Sequence, residues 1–162
     1  MATTLPPRSP AESYTETVHF ILPNDANPMG FALGGHVMHE MDLVGAMAAY
    51  RHTRAPLVTA AVDGLQFLHP IRVGDLMIVT ARVTGAFQTS LEVEVEVFTE
   101  ETLTGRRRLT SSAYFTFVTI AQNGRRPQVP PLQLETDEDR RRAAEAEARR
   151  AIRLASRRHQ QA

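Results

Sequence analysis

From Gly34 to Arg51 the sequence GGHVMHEMDLVGAMAAYR places Val37, Met41, Val44 and Ala48 on one helical stripe and Met38, Asp42, Gly45 and Ala49 on the next. Spacings of three and four are the period of an α-helix, and this one is apolar on most of its girth, which predicts burial. Its small residues, Gly45, Ala46, Ala48 and Ala49, leave room for a sheet or a second helix to approach closely. The rest of the chain has to supply a surface that wraps it.

That surface is written in strands. Residues 91 to 98, LEVEVEVF, alternate Leu91, Val93, Val95 and Val97 against Glu92, Glu94 and Glu96 without a slip, so one face meets the core and the other meets water. Strands are also expected over Tyr14 to Leu22, Val58 to Leu68, Leu76 to Thr84 and Arg108 to Ile120. PIRVGD, GAFQTS and TEETLTG have the length and glycines of hairpin loops. Strand, long helix and four consecutive antiparallel strands give an α+β domain over 14–121, one sheet curled around one helix.

The flanks read differently. Residues 1–13 lack a basic start and an apolar core, and predict a disordered tail rather than a signal peptide. No apolar run approaches the ~20 residues of a membrane span, so a cytoplasmic protein without membrane attachment is expected. Residues 122–135 are a proline-rich linker. A charged helix then occupies 136–162, with Thr136 as N-cap and Glu138 with Arg142 and Glu145 with Arg149 at i,i+4. With almost no apolar face, it is expected to be solvated, or to lie on a neighbouring subunit.

The residue inventory narrows the chemistry. The chain has no cysteine, which removes disulfides, thiolate nucleophiles and thiolate-bound zinc, and no lysine, which removes Schiff bases and P-loops. Its 18 arginines balance 18 acids, which argues against bulk nucleic-acid binding while leaving room for a local phosphate contact. His36, His39 and Glu40 form HxxHE and not the HExxH of a zinc site, so no metal is expected. Neither GxSxG nor GxGxxG occurs.

What remains is NPMGFALGGHVMHEMD, residues 27 to 42. Gly34 and Gly35 open the helix, where backbone N–H groups lack intrahelical acceptors and a ligand carbonyl can come close, as an oxyanion hole requires. Asp42 lies seven residues on from Gly35, about 10 Å along the axis, so the two cannot serve one carbonyl within one chain. If both are catalytic, the sites are shared between subunits. Asn27, before Pro28, either closes an Asx-turn or orients a water or a thioester.

The stretches DANPMGFALGGHVMHEMD, VTAAVDGLQFLHPIRVGD, TSLEVEVEVF and SAYFTFV, in that order, resemble the hotdog-fold acyl-CoA thioesterases, the group of YciA, BFIT and the mammalian cytosolic acyl-CoA hydrolases. The resemblance covers about Val18 to Ile120. It implies a hotdog sheet of five or more strands, with Asn27 and Asp42 forming a site across a dimer interface and Gly35 N–H as the oxyanion donor. It also implies CoA contacts near Gly34, Thr59, Ala60 and Ala61, and at Gln88, Thr89 and Ser90. Where many members carry a polar residue before the glycines this chain has Leu33, and where they carry a base before Thr-Ser it has Gln88. Arg72, Arg125, Arg126 or the terminal-helix arginines are the candidate phosphate partners in its place.

The implied function is hydrolysis of acyl-CoA to free acid and CoA by a homodimer assembled into a tetramer or hexamer, with no cofactor. The acyl chain would run along the central helix past Met38 and Met41. Two alternatives stay open: an acyl-CoA-binding regulator without turnover, and a dehydratase using His36 or His39.

Overall fold

The computed structural model describes residues 5–160. A single helical turn, α1 (Pro10–Ser13), leads into β1 (Thr15–Phe20); a 3-10 turn at Pro23–Asp25 precedes the long helix α2 (Gly34–Thr53). Four strands follow, β2 (Leu57–Phe67), β3 (Leu76–Ala86), β4 (Ser90–Glu100) and β5 (Arg107–Thr119), and helix α3 (Asp137–Gln160) ends the fold. The five strands form one antiparallel sheet in the order β1-β3-β4-β5-β2.

Only β3, β4 and β5 form a meander. β2 pairs with β5 at the far edge, so PIRVGD is a crossing connection and not a hairpin loop. The expected run of four consecutive paired strands is corrected accordingly. Loop length alone did not distinguish a hairpin from a short crossover past the helix end.

The sheet curls around α2. Val37, Met41, Val44, Ala48 and Ala49 pack on the inward row Leu91, Val93, Val95 and Val97 and on Phe115 and Phe117. Gly45 sets the approach, since a Cβ there would lie 3.2 Å from Val95 Cγ2 and 3.4 Å from Phe117 Cζ. The side of α2 turned away from the sheet, with Leu43, Met47 and Tyr50, is apolar but stays exposed in one chain.

The flanks overturn three expectations. Residues 5–13 are ordered: Ser9 caps α1 in a capping box with Glu12, and Arg8 pairs with Leu132. The expectation of a disordered tail is therefore corrected there, and residues 1–4 lie outside the described part. The proline-rich segment is a strap laid on the domain. Val129 N–H donates to Gln88 O, Thr119 Oγ1 to Pro127 O and Arg8 N–H to Pro131 O, while buried His52 bonds Pro130 O through Nε2.

Helix α3 is not free in solvent. It crosses the outer face of its own sheet, with Arg149 making two bonds to the Glu92 carboxylate (2.8 and 3.0 Å) and stacking on Tyr114, and with Arg153 on Asp63. Arg142 reaches Glu94 at 3.1 Å, and Ala146 nests against Gly85. The acidic row of β4 is thus a docking strip: Glu92 is 0% exposed. The expected N-cap does form, as Asp139 N–H donates to Thr136 Oγ1. Among the described residues no helix is long and apolar enough to cross a membrane.

Candidate active site

The loop before α2 is organised around Asn27. Its Oδ1 accepts from the N–H groups of Met29 and Phe31 (3.0 and 3.1 Å), and its own N–H donates to Phe31 O. The Asx-turn reading and the catalytic reading are compatible, because this closure uses the amide oxygen and leaves Nδ2 outside it. Ala32 N–H donates to Ile71 O and Val73 N–H to Gly30 O, which pins the loop to the β2–β3 crossing. Hydrogen bonds from backbone N–H groups, two of them to its own side-chain oxygen, hold Asn27 in place.

Helix α2 starts at Gly34, as expected, and the first bond back into the turn is Val37 N–H to Leu33 O. The N–H groups of Gly34, Gly35 and His36 precede it, without intrahelical acceptors and at the positive end of the helix dipole. A Cβ on Gly34 would touch the Phe67 ring at 3.6 Å, whereas one on Gly35 would meet nothing within 4 Å. Packing therefore does not require glycine at 35. Asn27 and Gly34 line one cleft of about 290 Å³ with Val37, Phe67, His69 and Ser111.

Asp42 stands two turns further along, half-buried, on the side of α2 toward β2. Thr59 Oγ1 donates to its Oδ1 at 2.6 Å. Thr59, a candidate CoA contact by sequence, has its hydroxyl on Asp42. Ala60 is the extra residue of a β-bulge between Thr59 and Ala61. Bulges of this kind re-aim side chains beside functional sites. The structure thus separates the candidates into two half-sites, Asn27 with Gly34 and Gly35, and Asp42 with Thr59.

The remaining candidates divide as well. Thr59 and Leu91 both pair with Phe117, and Ser90 pairs with Val118, so Thr59–Ala61 and Gln88–Ser90 share one end of the sheet. Arg72 pairs with Phe31 at the other end, by the Asn27 loop. Met41 is 0% exposed and faces the sheet, outside the Asn27 cleft, whereas Met38 is exposed. His36 Nδ1 faces Asp25 at 3.8 Å, and among the described residues no three His, Asp or Glu side chains converge. Sequence reasoning missed Phe67, His69 and Ser111, which come to the cleft through the strand pairing of Phe67 with Ser111.

Comparison with known proteins places these features. The family model of the thioesterase superfamily matches residues 29–105. The human cytosolic acyl coenzyme A thioester hydrolase is 34% identical over 88% of this chain, which spans 38% of that protein's length. An uncharacterized acyl-CoA thioester hydrolase of Bacillus subtilis, YkhA, is 35% identical over 74% of this chain and 69% of its own. Among solved structures, an apo-hexameric acyl-CoA thioesterase superposes with a TM-score of 0.88 at 32% identity, covering 94% of this chain and 97% of that one. An acyl-CoA hydrolase of Staphylococcus aureus, solved with butyryl coenzyme A and coenzyme A, gives 0.84 at 30% identity over 96% and 98%.

Three variants of the Staphylococcus aureus protein replace an asparagine, an aspartate fifteen residues later and a threonine seventeen beyond it with alanine. Asn27, Asp42 and Thr59 have the same types at the same spacing. The chain belongs to the thioesterase superfamily, in the hotdog-fold group of acyl-CoA thioester hydrolases.

Proposed function

We propose that this chain hydrolyses acyl-CoA to a free acid and CoA, at a site assembled from two subunits. The reading rests on the separation of Gly35 and Asp42 along one rigid helix, about 10 Å by helical rise, which makes each half-site incomplete alone. The exposed apolar side of α2 and the free edge of β2 supply an interface for a second copy, with Leu43 and Met47 exposed at 41% and 45%.

In this mechanism the thioester carbonyl sits over the first turn of α2, and Gly35 N–H donates to the oxygen as it becomes anionic. Asp42 of the partner subunit takes a proton from water, or attacks directly, and Thr59 of the same partner fixes its carboxylate. Asn27 turns its Nδ2 toward the water or the carboxylate. The acyl chain lies in the cleft of Phe67 and Val37. Gly34, Ala60 and Ala61, with Gln88, Thr89 and Ser90, contact other parts of CoA, and no cofactor is required. Assembly into a tetramer or hexamer and a cytoplasmic location complete the proposal, supported by the hexameric neighbour and the cytosolic relative.

Release of free thiol from a panel of acyl-CoA chain lengths tests it, with Asp42→Ala and Asn27→Ala alongside. Turnover that both substitutions abolish is expected. Binding of every chain length without turnover would leave a regulator and not an enzyme.

A further inference from the structure

At the end of the sheet that holds the start of α2, an open groove of about 520 Å³ runs between the β2–β3 crossing and the β4–β5 turn. Arg72, Arg106 and Arg108 line it, with Asp75, Glu101 and Thr99. Its three cations face two carboxylates, and the charges are not used alike. Glu101 is engaged by Arg106 Nη2 and Nε at 2.7 and 3.2 Å and by Thr104 Oγ1 at 2.8 Å. Among the described residues Arg72 and Arg108 have no carboxylate within ion-pair distance, and Asp75 pairs with no cation. Two free guanidiniums therefore oppose one free carboxylate, leaving a net positive groove.

A second observation points the same way. Thr99 is 8% exposed, lines the groove, and has a hydroxyl with no hydrogen-bond partner. A buried hydroxyl without a partner is costly, and a ligand that accepts from it removes the cost. Arg108 stands opposite Thr99 in the β4–β5 register, and the backbone of Arg72 is held by its bridge to Phe31. Three arginines of α3, Arg142, Arg149 and Arg153, are engaged elsewhere, on Glu94, Glu92 and Asp63.

We propose that this groove binds a phosphate group, with Arg72 and Arg108 as its cations and the Thr99 hydroxyl as a further donor. Guanidinium forks match phosphate oxygens, and two forks with a hydroxyl suit a diphosphate better than a single carboxylate. Pro70 borders both this groove and the Asn27 cleft, so a ligand can lie across the two. The phosphate can come from acyl-CoA itself, in which case the inference rests on the proposed hydrolase reading, or from a separate phosphorylated ligand.

Two measurements separate these sources. The first is the ratio of kcat/KM for an acyl-CoA to that for the matching acyl-pantetheine, which lacks the phosphates, in wild type, Arg72→Ala and Arg108→Ala. The second is calorimetric binding of inorganic pyrophosphate to the same three proteins. A fall in the ratio of about tenfold or more in each variant assigns the site to the substrate's phosphates. An unchanged ratio, with pyrophosphate binding weakened about tenfold or more in both variants, assigns it to a separate ligand. An unchanged ratio with no pyrophosphate binding, or with equal binding by all three proteins, overturns the proposal. If wild type hydrolyses neither thioester, the hydrolase reading fails while the pyrophosphate arm still decides the groove.

Discussion

The hydroxyl of Thr59 donates a 2.6 Å hydrogen bond to the carboxylate of Asp42, tying the edge strand β2 to the middle of α2. A hydrogen bond to a carboxylate contributes about 1.5–3 kcal/mol. Thr59→Val keeps the shape and removes the donor, so kcat for acyl-CoA should fall roughly 10- to 100-fold, with Thr59→Ser recovering most of it. Thiol-release kinetics measure both, and a wild-type kcat in Thr59→Val would mean that Asp42 needs no such partner.

Subunit sharing has its own signature. Asp42→Ala and Asn27→Ala damage different half-sites, so each homo-oligomer should be inactive. After mixing and exchange, one composite site in a mixed dimer carries both intact halves, and up to about half of the wild-type activity per mixed dimer should return. Proven exchange without any rescue would place both residues in one chain's site.

Docking of α3 depends on a buried charge pair. The side chain of Glu92 is 1% exposed and that of Arg149 22%. Removing one partner of such a pair leaves an uncompensated charge and costs about 3–5 kcal/mol. Arg149→Ala should lower stability by about that amount in urea unfolding. Glu92→Met with Arg149→Met should be more stable than Arg149→Ala, because the orphaned carboxylate is gone.

His52 makes the fold sensitive to acid. Burial pushes its imidazole below the usual histidine value, assisted by Arg8, while the bond to Pro130 O and nearby Glu12 oppose the shift. The unfolded chain therefore takes up this proton at higher pH than the folded one. Stability from neutral His52 is complete above about pH 6.5 and declines as pH falls from there toward the lower folded value, by up to about 1.4 kcal/mol per pH unit. Urea midpoints at pH 7.5 and 5.0 should differ more for wild type than for His52→Gln. Equal differences would clear His52 of the effect.

Much of the fold could be read locally. The three-and-four spacing of Val37, Met41, Val44 and Ala48 and the strict alternation from Leu91 to Val97 each specify an element and its inner face. The place of β2 beside β5 could not, because register between distant strands leaves no periodic mark. The acidic row of β4 and the arginines of α3 were both visible as charge patterns. Neither pattern alone showed that Glu92 and Arg149, 57 residues apart, would neutralise each other. At the site, Asn27, Gly35 and Asp42 were recognisable from the run that holds them. The Thr59 hydroxyl was not, because it reaches Asp42 only through the folding of β2 against α2. Residues 5–13 look disordered by composition, and their order comes from the strap that Arg8 pairs with and from bonds of Ser13 to Val83 and of Arg8 to Arg51.

The strap and α3 also set an order of events during synthesis. The bonds that close the domain span 126 residues from Ser9 to Glu135 and 90 from Asp63 to Arg153. On the ribosome the sheet can wrap α2 before Arg149 has left the exit tunnel. Until then Glu92 has no guanidinium to meet, and its face of the sheet stays open to water and to other nascent chains. A premature stop or a proteolytic cut ahead of Arg149 would thus yield a chain that holds the Asn27 to Asp42 run yet cannot cover its own acidic strip.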